Sequence, residues 1–209
     1  MPRKERHRLH ANPFNIRGPL AAPDWTRVFG RKAPFALDVG FGDGRFTVEL
    51  SRRHPEWNVV GLEIRQHLVD TLIGAARTAG LGNLHAVLAN ANLQLEELIP
   101  DRSVAFVAVN FPDPWFKRRH HKRRVINPTW LHVLSTKLLS GSELHAATDY
   151  EPAGREILTL VDQAPGFVNL EGRGQFAPAS TTGILTEREV THLGRGEPIY
   201  RVRYRFQPA

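Results

Sequence analysis

Apolar and polar positions along this chain follow two rhythms that take turns. Residues 35–39 form a short apolar run stopped by Gly40-Phe41-Gly42-Asp43-Gly44, and Phe46, Val48, Glu49 and Leu50 then follow at helical spacing up to Pro55. This reads as strand, glycine-rich turn and helix. The unit recurs. Strands at 58–64, 84–88, 104–109 and 143–147 alternate with helices at 68–79, 93–99, 128–139 and 152–161, closed by Gly80 or Pro100 or opened by Pro128. The run 104–109 is apolar throughout, as in a central strand covered on both faces. Residues 166–170 add a short strand. Residues 199–206 alternate strictly, with Tyr200, Val202, Tyr204 and Phe206 on one side and Arg201, Arg203 and Arg205 on a side expected to be solvated. Strands alternating with helices imply right-handed crossovers, so the predicted fold class is α/β: a doubly wound, mostly parallel seven-stranded sheet with an antiparallel C-terminal strand. Residues 1–33, rich in Pro, Arg and His, read as a basic N-terminal arm with one short helix over 25–29, and residues 34–209 as a single domain.

Composition narrows the setting. The 209 residues are 41% hydrophobic and 23% charged, with no apolar run of membrane-spanning length and no signal-peptide core behind the basic amino end. A soluble, cytoplasmic protein without a membrane partner is expected. The chain lacks cysteine, which excludes disulfide scaffolds, thiolate zinc sites, iron–sulfur clusters and cysteine nucleophiles. The pair His120-His121 lies among cations that would repel a metal, so no metal site is expected either. Net charge is +7, and Lys117, Arg118, Arg119, Lys122, Arg123 and Arg124 supply six positive charges within one stretch. Arg3, Lys4, Arg6 and Arg8 form a second basic run at the amino end. Such clusters suit a phosphate backbone, whose neutralisation releases condensed counterions, but charge alone equally fits a solvated run. Position along the fold decides between the two.

In doubly wound sheets ligands lie beyond the carboxyl ends of the strands. Gly40, Gly42 and Gly44 follow the first strand and allow the backbone to approach a ligand at a helix amino end. A dinucleotide fingerprint would need a glycine where Arg45 stands. Asp38 lies just before this turn, where a pyrophosphate would be repelled and the ammonium of an amino-acid cofactor attracted. Glu63 ends the second strand, placed to accept from ribose hydroxyls, and Asn90 follows the third, placed to pair its amide with an adenine edge. Each alone fits a polar helix cap. Jointly and in this order they favour S-adenosylmethionine over a nicotinamide cofactor. The fourth strand leads into Asn110-Phe111-Pro112-Asp113-Pro114-Trp115-Phe116 and then into the cations, so the basic run borders the expected cofactor methyl. Two prolines stiffen the backbone around Asp113, and Phe111 and Trp115 offer faces for a stacked base.

This segment resembles the signature of the tRNA (guanine-N7-)-methyltransferase family, Phe-Pro-Asp-Pro-Trp followed by basic residues and histidine. The likeness extends to Leu37-Asp38-Val39-Gly40-Phe41-Gly42, to Gly61-Leu62-Glu63-Ile64, to Thr148-Asp149-Tyr150-Glu151-Pro152 and, loosely, to Thr186-Glu187 with Leu193-Gly194-Arg195-Gly196. It thus spans the chain from about residue 35 onward, which marks 34–209 as a methyltransferase domain. The resemblance implies methyl transfer from S-adenosylmethionine to guanine N7 in the variable region of tRNA. It implies cofactor contacts at Asp38, Gly40, Gly42, Glu63, Asn90 and Asp113, a catalytic role for Asp113, and substrate contacts at Lys117, Asp149, Thr186 and Glu187. Arg118, Arg119, Lys122, Arg123 and Arg124 are expected to hold the RNA backbone. Family members often carry Glu at the position of Asp38 and Asp at that of Asn90, and usually a threonine where Ile184 stands here.

Guanine N7 has an in-plane lone pair and no proton to lose, so the expected catalysis is positioning and stabilisation of the positive charge reaching the purine, not general base chemistry. Three other readings stay open to the sequence. They are a methyltransferase of an exocyclic amine, for which Asn110 is a candidate, a nicotinamide oxidoreductase, and a catalytically silent RNA-binding protein on the same scaffold. The expected partner is tRNA, and the oligomeric state is open between monomer and homodimer.

Overall fold

The computed structural model describes residues 12–16, 20–180 and 182–208, apart from the side chains of Phe14 and Arg118. Its strands are β1 Phe35–Val39, β2 Asn58–Glu63, β3 Leu84–Leu88, β4 Val104–Asn110, β5 Leu138–Thr148, β6 Phe167–Asn169 and β7 Tyr200–Phe206. The helices are α1 Trp25–Phe29, α2 Arg45–Arg53, α3 Gln66–Thr78, α4 Ala91–Leu98, α5 Pro128–Lys137, α6 Glu151–Asp162 and α7 Glu187–Leu193. The strands form one seven-stranded sheet in the order β3-β2-β1-β4-β5-β7-β6. All neighbours run parallel except β7, which is antiparallel to both β5 and β6. The chain winds outward from β1 to β3 and then returns to β4, so the connections leaving β1 and β4 turn to opposite faces and a crevice opens between them.

Alternation along the strands builds a separate core on each face. Ala36, Val59, Phe106 and Ala108 lie beneath α2 and α3, which contribute Phe46, Leu50, Val69 and Leu72. Leu37, Val39, Leu62, Val107 and Val109 point the other way, toward α1, α4, α5 and α6. Every residue of β1 and β2 is buried, the polar Asp38, Asn58 and Glu63 included. Asp38 falls on the α2 side, and its register partners on either side are Gly61 and Ala108. These small neighbours leave room for the turn that follows β1. The ring of Phe41 lies directly on Gly61, where a Cβ would stand 2.7 Å from Phe41 Cδ1.

Several boundaries differ from the sequence reading for tertiary reasons. Of the expected arm, residues 1–11 and 17–19 lie outside the described residues, whereas α1 is built into the core. Asp24 caps it by accepting from Arg27 N at 3.1 Å, and Trp25 Nε1 donates to Leu98 O at 2.9 Å. Helix α5 stops at Lys137 and β5 begins at once, because Leu138 pairs with Val104. Helix α7 was not anticipated by the apolar period. It starts at a capping box in which Thr186 Oγ1 accepts from Glu189 N and Glu189 Oε2 accepts from Thr186 N. The arginine side of β7 is solvated as expected at Arg205 and partly at Arg203, but not at Arg201. Arg201 is buried against Glu189 at 3.0 Å, and Arg203 and Arg205 pair with Glu171 and Glu143.

Gly61→Ala is expected to destabilise the fold by about 1–3 kcal/mol, because the new methyl must push the Phe41 ring and with it the turn after β1. Urea denaturation of the two proteins checks this, and an unchanged midpoint would show that Phe41 yields freely.

Candidate active site

Loops from the carboxyl ends of β1, β2, β3 and β4 enclose a cleft of about 490 Å³. Asp38, Gly40, Gly42, Glu63, Asn90, Asp113, Thr186 and Glu187 all line it. Lys117, Asp149 and the basic residues that follow Lys117 do not.

The turn after β1 places Gly40, Gly42 and Gly44 at φ of 76°, 61° and 78°, in the left-handed region that favours glycine. It folds back so that Gly42 N donates to Glu63 Oε2 at 3.3 Å. Beneath it Asp38 is 1% exposed. Its Oδ2 accepts from Thr47 Oγ1 at 2.7 Å, while Oδ1 accepts from no group among the described residues. Burial pushes the Asp38 pKa up to about 7, with the Thr47 hydrogen bond opposing and the charges of Glu63 and Asp43 adding. Glu63 is nearly saturated, accepting from Ile64 N at 2.8 Å and from Arg65 Nε and Nη2 at 3.0 and 2.8 Å as well as from Gly42. A ligand hydroxyl reaches it by replacing the long bond from Gly42 or one from Arg65. Arg65 also lines the cleft, and its proton is held more firmly by the Glu63 hydrogen bonds and by the field of Asp113.

Asn90 caps α4, accepting from Asn92 N at 3.1 Å, and donates Nδ2 to Pro13 O at 2.8 Å. Its amide is therefore already engaged, and Pro13 shares this end of the cleft. On the other side Asp113 stands between Pro112 and Pro114, bracketed by non-glycine residues with positive φ, Phe111 at 50° and Trp115 at 45°. The loop is tied down at both ends. Phe111 N donates to Ala147 O at 2.7 Å, and Arg124 holds Pro114 O at 2.8 Å and the Glu156 carboxylate. Arg124 is thus turned inward, away from the surface expected for it. Arg118–Arg123 form a short 3₁₀ helix from which Arg119 and Lys122 are exposed, as is Lys117 before it, while the guanidinium of Arg123 lies 5.0 Å over Trp115. The side chain of Arg118 lies outside the described residues.

Helix α7 closes the rim. Asp149 Oδ2 accepts from the Arg188 guanidinium, with Nε at 3.0 Å, and lies 3.0 Å from His192 Nε2. Asp149 therefore faces α7 and not the cleft. Thr186 is occupied by its capping role, and Glu187 follows it at the rim.

Fit to S-adenosylmethionine is tested by the buried polar atoms that lack protein partners. Among the described residues three such atoms belong to cleft-lining residues: the acceptor Asp38 Oδ1 and the donors Asn110 Nδ2 and Arg188 Nη1. One acceptor and two donors complement the ammonium and carboxylate of an amino acid, so the residues present suit this cofactor. Sequence reasoning missed Arg65 and Arg188. Arg65 follows Glu63 at the same strand end, and the Thr186-x-x-Glu189 capping box was the available sign of the helix carrying Arg188. Among the described residues no group of three or more His, Asp or Glu side chains is arranged to hold a metal, and no helix is long and apolar enough to cross a membrane.

The model of a family described as "Putative methyltransferase" matches residues 32–202. The tRNA (guanine-N(7)-)-methyltransferase of Synechococcus sp. (strain JA-3-3Ab) is 38% identical over 201 residues, covering 94% of this chain and 84% of the relative. That of Aliivibrio fischeri (strain MJ11) is 35% identical over 182 residues, covering 87% and 76%. Among solved structures, the 16S rRNA methyltransferase KamB superposes with a TM-score of 0.60 at 18% identity, covering 90% of this chain and 96% of that one. A SAM-dependent methyltransferase from Aquifex aeolicus gives 0.58 at 16% identity, covering 87% of each. At these identities the structures establish the fold alone, and the closer relatives, matched over most of their length, establish that the chain belongs to the tRNA (guanine-N(7)-)-methyltransferase family.

Proposed function

We infer that the protein transfers the methyl group of S-adenosylmethionine to guanine N7 in tRNA. The observation that carries this reading is the pairing of two carboxylates in one cleft at the adjoining ends of β1 and β4. Asp38 is buried with one oxygen uncommitted, and Asp113 is held rigidly beside a run of exposed cations. When bound, the cofactor supplies a methyl group activated on a sulfonium for in-line displacement. Asp38 meets its ammonium, Asn110 and Arg188 donate to its carboxylate, Glu63 accepts from the ribose, and Asn90 with Pro13 walls the adenine end. Gly40 and Gly42 let the backbone come close.

Asp113 orients the guanine through donors on its Watson–Crick edge and favours the positive charge that develops on the ring. No residue needs to remove a proton, because the attacking nitrogen carries none. Asp149 acts through α7, holding Arg188 and Glu187 at the rim. Lys117, Arg119 and Lys122 hold phosphates beside the target, with Arg118 and Arg123 next to them on the same short helix. We place the target in the variable region of a cytoplasmic tRNA, with the base turned out of its stack into the cleft. A single chain supplies every residue named.

Incubation with labelled methyl donor and total tRNA, followed by nucleoside identification, tests the reaction. N7 methylation yields a cationic guanosine prone to ring opening and strand scission, whereas methylation of an exocyclic amine does not. Asp113→Ala is expected to lower single-turnover methylation by about 10²–10³-fold while cofactor affinity changes less than about threefold. Equal losses in both would assign Asp113 to cofactor binding alone. The pH dependence of cofactor binding stems from Asp38. Below about pH 7 its carboxyl is protonated in the free protein and must lose that proton to meet the ammonium. Affinity should therefore rise with pH by up to tenfold per unit and level off above about 7. Equilibrium dialysis across pH 5.5–7.5 checks the slope, and Asp38→Asn should abolish it, whereas an identical slope in that variant would assign the titration elsewhere. Replacing Arg119 and Lys122 together by Ala should reduce the slope of log affinity for tRNA against log salt by about 1.5–2, as measured by filter binding at several salt concentrations.

A further inference from the structure

The aromatic side chains of the catalytic loop divide into covered and open rings. Phe111 has the Arg188 guanidinium 5.2 Å from its ring centroid and His192 stacked at 6.4 Å. Trp115 has Arg123 at 5.0 Å over its ring and the edge-on His120 at 5.8 Å. The two rings expected from the sequence to stack a base are thus already faced by side chains of this protein. Phe116 is different. It is 69% exposed, and it meets Tyr150 edge to face, with centroids 5.1 Å apart and planes at 77°.

That geometry braces the Phe116 ring from one direction and leaves a face open to solvent. Tyr150 is itself 37% exposed, so the pair forms a ledge and not a buried cluster. The left-handed backbone at Trp115, φ 45°, sets the turn between the packed ring and the exposed one. Lys117 follows directly, and Arg119 and Lys122 are exposed on the next turn. An open aromatic face flanked by cations is the arrangement that holds a single-stranded nucleotide, the ring taking the base and the cations its phosphate. Phe116 lies three residues beyond Asp113, no more than about 10 Å of extended chain, which is within reach of a nucleotide adjoining one held at Asp113.

We propose that Phe116, braced by Tyr150, is a stacking platform for an unpaired base next to the target guanine. This subsite rests on tRNA being the substrate. It accepts any base, because every base offers a π face, and it fixes the strand's path into the cleft without touching the reacting atoms.

Phe116→Ala, Phe116→Leu and Phe116→Trp distinguish stacking from simple apolar contact. The Ala variant should bind tRNA about 5–100-fold more weakly, corresponding to about 1–3 kcal/mol. The Leu variant should fall nearly as far, and the Trp variant should bind at least as tightly as the parent. The salt dependence of binding should be unchanged in all three, because stacking releases no counterions. The KM for tRNA should rise in the Ala variant while kcat at saturating tRNA and cofactor affinity stay near parental values. Parental binding by the Ala variant would overturn the proposal, as would rescue by Leu. Failure of the parent protein to methylate tRNA would instead overturn the reading on which the subsite rests, so the two failures are told apart by one control.

Discussion

A carboxylate removed from water near the end of β1, an inner strand of the sheet, is the constraint around which this protein is arranged. Burying an ionisable group in a sheet is unfavourable unless partners compensate, and among the described residues Asp38 receives one hydrogen bond, from Thr47 on α2. Its register neighbours Gly61 and Ala108 are small, and the glycine turn passes over it without a side chain in the way. Each of these features is a property of the doubly wound topology, which brings β1, β2 and β4 side by side and sets α2 directly after the turn. The raised pKa of Asp38 comes from the same burial. The fold holds a group in a state that a cation would relieve, which is what makes the site a site.

The other half of the cleft is built by restraint instead of burial. Asp113 lies on a loop with prolines on either side and positive φ at Phe111 and Trp115, conformations that persist only where surroundings enforce them. Those surroundings are polar networks. Arg188 and His192 clasp Asp149, Glu189 pairs with the buried Arg201, and the guanidinium of Arg188 covers Phe111. A buried pair such as Glu189 with Arg201 adds little net stability but strongly disfavours alternatives that would leave either charge alone. Helix α7 is therefore fixed in one place on the rim, although it is short and carries little of the apolar core.

Much of this was legible in the sequence, for physical reasons. Apolar runs at 35–39 and 104–109 fix inner strands because only a doubly covered strand tolerates them, and Asp38, Glu63, Asn90 and Asp113, each placed at or just after a strand end, gather around one crevice because parallel strands end on one rim. The features that were not legible depended on contacts between distant residues. The burial of Arg201 needs Glu189, the inward turn of Asp149 needs Arg188, and the engaged amide of Asn90 needs Pro13, none of which a local period reveals. The early start of β5 is of the same kind, since Leu138 is a strand residue only by virtue of Val104 opposite it.

Arg124 belongs to the cationic run but is spent on the protein itself. Its guanidinium is divided between the Pro114 carbonyl and the Glu156 carboxylate, so it fastens the far end of the loop to α6. The loop's posture is thereby settled while the chain folds, not while a polyanion arrives. Association with a nucleic acid then forfeits less freedom than a slack basic tail would, and discrimination among RNA shapes becomes a matter of whether the visitor matches a mould that already exists.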